Sequence, residues 1–187
     1  MQVREKTRKE IEARFEEMGD YVRIDYLSSC LKGNLDFDTR KFVLVKLAEL
    51  FESRKMFLDA GKMMKGAAEI NTTFKNKIED FSRAVELFIK SGDYYEADGA
   101  LKSALSISNE SQREEVLKRA KENYKTQANF FISNDKRKHA MEVYEKILTM
   151  NPEQSEKEGI EKSLLNLYRD LGKIREYNLL IKRIKKD

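Results

Sequence analysis

Apolar positions recur along this chain at three- and four-residue spacings, in long runs separated by short polar or glycine-bearing breaks. That period belongs to amphipathic helices and not to strands, which would alternate. The runs predict ten helices, at about 2–18, 21–32, 38–53, 56–70, 74–91, 94–107, 112–133, 136–149, 152–171 and 174–186. The breaks are of two kinds. Gly19-Asp20, Ser91-Gly92-Asp93, Ser133-Asn134-Asp135 and Leu171-Gly172 each close one run and open another after two or three residues, as helical hairpins require. Between hairpins lie Gly33-Asn34-Leu35-Asp36, Asn71-Thr72-Thr73, Ser108-Asn109-Glu110-Ser111 and Met150-Asn151-Pro152. Ser111 and Glu114 have capping-box spacing, and Pro152 suits a first turn after an Asn cap.

Aligned on their turns, the hairpins repeat. The third offers Phe81, Ala84, Val85 and Phe88, then Gly92 and Tyr94, then Ala97, Leu101 and Ala104. In the fourth the series is Tyr124, Ala128 and Phe131, then Ala140, Tyr144 and Ile147, with Pro152 closing it and Gln127 out of pattern. The second gives Leu44, Leu47, Ala48 and Phe51, then Ala60, Met64 and Ala67, with Lys55 where a turn glycine is expected. Leu164, Leu165, Tyr168 and Gly172 mark the fifth, but Tyr177, Ile181 and Ile184 replace its small residues, as suits a terminal cap. The first keeps only the spacing, through Ile11, Phe15, Gly19, Tyr21, Ile24, Ser28 and Leu31, and reads as the opposite cap. Taking Ile24, Ala60, Ala97, Ala140 and Tyr177 as equivalent, the units are 36, 37, 43 and 37 residues apart.

These residues resemble tetratricopeptide repeats, whose small residues allow close helix approach and whose aromatics fill the space beside them. The long units and the stretched seventh helix are also similar to the divergent hairpins of the soluble NSF attachment protein class. The resemblance implies an all-α fold, a right-handed α-α superhelix of five hairpins. It reads as one solenoid domain over 1–187, with units at about 1–36, 37–73, 74–110, 111–152 and 153–187. Such a stack forms a groove, the expected binding site for a peptide or helix of another protein. If positions 4, 7, 8 and 11 of each first helix point inward, the groove carries Phe42, Val45, Glu49, Arg83, Glu86, Lys125, Asn129, Lys162, Asn166 and Arg169.

Two features of that lining stand out. Phe42 and Val45 are apolar, fit either to seat a partner's side chain or to touch the cap. Lys125 and Asn129, one turn apart, match the pair by which some tetratricopeptide domains hold a peptide's terminal carboxylate, and Lys162 with Asn166 repeats it. An ammonium and an amide on one helix face can together satisfy such a group. The family clamp also needs an Asn where Ser163 stands, and cations from a further unit that this sequence does not supply after residue 187.

Composition narrows the class further. Charged residues make up 37% and apolar ones 40%, with Pro 1, Cys 1 and Gly 8. Turn-rich β folds and disulfide scaffolds are poor fits, and the lone Cys30 suits a reducing cytoplasm. No stretch reaches the ~18 apolar residues of a membrane span, and the charged opening lacks a signal sequence's apolar core. Net charge is +4 but uneven: residues 1–110 hold 19 Lys and Arg against 20 Asp and Glu, and 111–187 hold 18 against 13. Arg175, Lys182, Arg183, Lys185 and Lys186 form a basic C-terminal patch, to which Lys136, Arg137 and Lys138 add. It either complements the last helix's dipole or meets an acidic partner. With one histidine, His139, and one cysteine, no zinc spacing arises, and no phosphate-binding glycine loop occurs. Adjacent carboxylates such as Glu114-Glu115 diverge around a helix.

No catalytic residue, metal or cofactor is expected. The expectation is a cytoplasmic, non-enzymatic adaptor, monomeric or weakly dimeric, binding another protein through its groove. The alternatives are RNA binding through the basic second half, and self-assembly through Leu179, Leu180, Ile181 and Ile184.

Overall fold

The computed structural model describes residues 3–185, and among them ten α-helices and no strand are found. They are α1 (Arg8–Glu16), α2 (Asp20–Cys30), α3 (Phe37–Ser53), α4 (Phe57–Ile70), α5 (Phe74–Ser91), α6 (Tyr94–Ser106), α7 (Glu110–Ser133), α8 (Arg137–Leu148), α9 (Gln154–Asp170) and α10 (Ile174–Ile184). Each predicted helix is present, and α5 falls on its predicted residues. Three starts differ by two residues or more, at α1, α7 and α9. Helix α1 begins at Arg8 and not near residue 2, because Thr7 and Glu10 form a capping box overlooked in the charged opening. The box before α7 uses Asn109 and Gln112, which exchange backbone-to-side-chain hydrogen bonds of 2.9 and 3.0 Å, in place of Ser111 and Glu114. Before α9 the cap is Glu153, so Pro152 precedes the helix, while Asn151 takes a left-handed φ of 47°.

The hairpin turns share one backbone device. Lys55, Gly92, Asp135 and Gly172 all have positive φ, at 60°, 82°, 56° and 67°. Their spacing reproduces the last three repeat intervals, which fixes the phase of the last four hairpins. Lys55 and Asp135 hold this geometry despite a Cβ, which disfavours it. Only Gly92 and Gly172 meet it without strain. The first hairpin departs, since Gly19 has a φ of −70° and serves as the N-cap of α2.

The residues group into two compact units, up to Val116 and from Leu117 onward, with α7 contributing to both. In the first, α3 packs on α4, α4 on α5 and α5 on α6. The crossings are lined by the small residues of the repeat: Ala60, Ala67, Ala97 and Ala104 are fully enclosed. The closest approach joins α4 to α5. A Cβ placed on Gly61 would lie 2.7 Å from two atoms of the buried Phe88 ring. At the other end of this unit, Ile11, Tyr26, Leu27, Cys30, Val43 and Leu47 form a core joining α1, α2 and α3. In the second unit α9 packs on both α8 and α10, around Ala140, Val143, Ile147, Ile160, Leu164, Leu167 and Leu180.

Three substitutions test this packing and its turns. Gly61→Ala gains helix propensity of roughly 1 kcal/mol, yet forces the Phe88 ring aside and is expected to lose about 1–3 kcal/mol net. Gly99→Ala in α6, where a Cβ meets nothing within 4 Å, is expected to raise the urea midpoint. Lys55→Gly relieves the left-handed turn and is expected to stabilise by about 1 kcal/mol in the same measurement.

Candidate functional site

In the first unit the predicted groove residues lie on α3 and α5, and most are already engaged. Phe42 is half-buried against the α1–α2–α3 core, with the Arg8 guanidinium 4.7 Å above its ring. Its contact with the cap is one of the two roles open to it. Val45 is half-buried, and Glu49 is exposed and paired with Lys46 at 2.8 Å. Arg83 bridges Glu52 of α3 and Glu86 of its own helix, while Lys90 reaches Glu86 at 2.7 Å and Glu52 at 3.3 Å. Two cations and two anions thus neutralise one another across the α3–α5 seam. Burial works to raise the Glu86 carboxyl, but hydrogen bonds from Lys90 and Arg83 outweigh it and hold it below the ordinary value.

In the second unit, α7 carries Lys125 and Asn129, and α9 carries Lys162, Asn166 and Arg169. Lys125 is ion-paired with Glu156 in the first turn of α9, and Lys121 approaches the same carboxylate at 3.6 Å. The ammonium expected to receive a peptide carboxylate therefore already holds an internal one. The hydroxyl of Tyr144 donates to Oδ1 of the exposed Asn129 at 3.3 Å. On α9, Lys162 and Asn166 are exposed. Arg169 donates to Asn166 Oδ1 at 3.3 Å and lies 3.6 Å from Asp170. The surface left open is a cationic and amide face on α9, beside the occupied pair on α7.

The basic tail divides in a similar way. Arg175, Lys182 and Lys185 are exposed, and Lys186 lies outside the described residues. Arg183 donates to Glu161 at 3.1 Å, and the Glu161 side chain is only 6% exposed. That guanidinium answers a buried charge and is not a freely displayed one. Arg137 sits 2.9 Å from Asp135 and 3.7 Å from Asp170, while Lys136 and Lys138 are exposed. His139 is exposed, its ring centroid 5.3 Å from that of Phe131. Cys30 is buried, and burial pushes its thiol up, which disfavours the reactive thiolate.

Sequence reasoning did not identify Glu52, Glu156 and Glu161 as the carboxylates that hold the predicted cations. A signal for two of them exists. Glu52–Arg83, Lys65–Glu96 and Lys125–Glu156 each join residues 31 positions apart. Opposite charges recurring at one offset in a repeat protein mark pairs that tie one hairpin to the next.

Fold and face together define a tandem helical-hairpin protein with a displayed basic face. No protein-family model and no curated protein matches the chain. Among solved structures it is similar to BtubC (BKLC) from P. vanneervenii, with 16% identity, a TM-score of 0.39, and coverage of 94% of this chain and 76% of that one. It is also similar to a MamA protein, with 18% identity, a TM-score of 0.42 and coverage of 95% and 90%. A second MamA structure gives 16%, 0.38, 95% and 93%.

The Lys125–Glu156 pair sets a testable pH dependence. The hydrogen bond from Lys125 holds Glu156 below the ordinary carboxylate value of 4.5, against a smaller effect of burial. Its stabilisation is complete above that unfolded value and is lost as pH falls through the lower folded one. Glu156→Gln is expected to cost about 1 kcal/mol at pH 7. The gap to wild type should close as urea midpoints are followed downward from pH 4.5.

Proposed function

We propose that this chain is a non-enzymatic adaptor that holds a peptide or helical segment of another protein on the outward faces of its first-in-hairpin helices. The carrying observation is the contrast between two such faces. On α3 and α5 the charges satisfy one another across two helices, whereas on α9 Lys162, Asn166 and Arg169 are exposed, with Arg169 joined to Asn166 and Asp170 of its own helix. Exposed cations and amides on one helix face suit acidic side chains or a terminal carboxylate, because charge-assisted hydrogen bonds to a carboxylate are strong. Asn129, on α7, is held by Tyr144. Lys125 joins only by sharing Glu156 or exchanging it for the partner's carboxylate. The partial neutralisation of Arg137 and Arg183 by Asp135, Asp170 and Glu161 lowers the free positive charge available to RNA. No helix among the described residues is long and apolar enough to cross a membrane.

The test is affinity capture with wild type and with Lys162→Ala/Arg169→Ala, at about 50 and about 200 mM salt, assaying protein and nucleic acid separately. A protein that binds wild type and is lost from the double variant is the expected result. Nucleic acid as the captured species, with steep loss at the higher salt and indifference to the α9 variant, would sink the adaptor reading.

A further inference from the structure

A second surface of the same unit has the opposite character. Between α8 and α10, with Tyr168 of α9 among its lining residues, lies a cavity of about 530 Å³. The depression is open to solvent, and its volume lies within the range of ligand-binding clefts. Its apolar walls are Leu148 on α8 and Leu179 and Leu180 on α10. Leu179 is 58% exposed at the edge of the cavity.

The polar groups of this lining are anchored. The Tyr168 hydroxyl donates to Glu145 Oε1 at 2.8 Å, which fixes the carboxylate at the cavity. Burial, and then that carboxylate, push the Tyr168 hydroxyl up, so it remains a donor. Glu176 supplies a second carboxylate from α10, with Lys173 at 3.8 Å. The one cation of the lining, Arg183, is engaged by the nearly enclosed Glu161. The lining thus carries two carboxylates against one guanidinium, although residues 111–187 carry 18 Lys and Arg against 13 Asp and Glu. A pocket whose sign opposes that of its surroundings selects for the complementary charge.

We propose that the α8–α9–α10 cavity is a docking pocket for a basic, leucine-bearing segment of a partner protein. An apolar side chain of that segment packs among Leu148, Leu179 and Leu180, and a Lys or Arg beside it meets Glu145 and Glu176. The site is independent of the α9 face described above, which takes the opposite charge.

The experiment is amide-resolved NMR titration of the full chain with a short alternating Leu–Lys peptide and, separately, a Leu–Glu peptide of equal length. The Leu–Lys peptide is expected to shift the amides of Thr149, Glu176, Leu179 and Leu180. Glu145→Gln/Glu176→Gln should weaken it about tenfold, the combined loss of two half-exposed charge pairs. The amide oxygen that Glu145→Gln leaves in place can still accept from Tyr168, so an otherwise unchanged spectrum certifies the fold. Lys162→Ala/Arg169→Ala should bind the Leu–Lys peptide as wild type does, which separates this site from the α9 face. Equal binding of both peptides, shifts away from the lining, or indifference to the double Gln variant would overturn the proposal. So would concentration-dependent self-association abolished by Leu179→Ser, which would assign the cavity to a second copy of this chain.

Discussion

The fit of the Phe88 ring against Gly61 is the constraint on which the first unit depends. Helices approach this closely only where one of them has no side chain to interpose, and α4 supplies that gap with Gly61 beside the enclosed Ala60. Once the ring is seated, the rotation of α5 about its axis is set. Phe81, Ala84 and Val85 then face inward, and Arg83, Glu86 and Lys90 fall along the α3–α5 seam. A tightly packed interior transmits such a restriction instead of absorbing it. The position of the charges is therefore a consequence of apolar packing.

Register between hairpins is reinforced by the ion pairs. Three of them span the same 31 positions, although they lie in different helices and reverse polarity, with the acid first in Glu52–Arg83 and the base first in the other two. Packing of small residues alone leaves neighbouring helices some freedom to slide, because Ala offers little relief to interlock. A charge pair removes that freedom at modest energetic gain, since partly exposed pairs are worth little individually. Their effect is to specify alignment more than to hold it.

Helix positions were legible from the sequence because apolar period and turn residues agreed at almost every hairpin, and Lys55 shows the strength of that agreement. It lacks the expected glycine yet adopts the same left-handed geometry, so the hairpin imposes the turn on the residue. Caps were less legible, because several Ser, Thr, Asn and Glu residues compete at each break and only local geometry chooses among them. The Thr7–Glu10 box was hidden in a run of charges whose spacing suits a helix equally well. The engagement of the site residues was not legible. Lys125 is read from repeat phase and Arg183 from charge clustering, but whether a cation is displayed depends on a carboxylate far along the chain, and Glu156 and Glu161 carry no local mark of that role.

Charge in this protein accordingly falls into two populations that a net value of +4 does not distinguish. One is consumed internally, at the α3–α5 seam, at Lys65–Glu96, at Lys125–Glu156 and at Arg183–Glu161. Its members were fixed when the hairpins packed, and they offer a partner nothing without first breaking a pair. The other is displayed, and in the second unit it separates by sign: cations and amides on α9, carboxylates at the α8–α10 cavity. Rigid helices carry both, so neither surface can neutralise the other by bending toward it. Opposite charges kept apart on one small scaffold persist only while the helices stay ordered, which makes recognition of a partner a property of the packed hairpins and not of the basic composition.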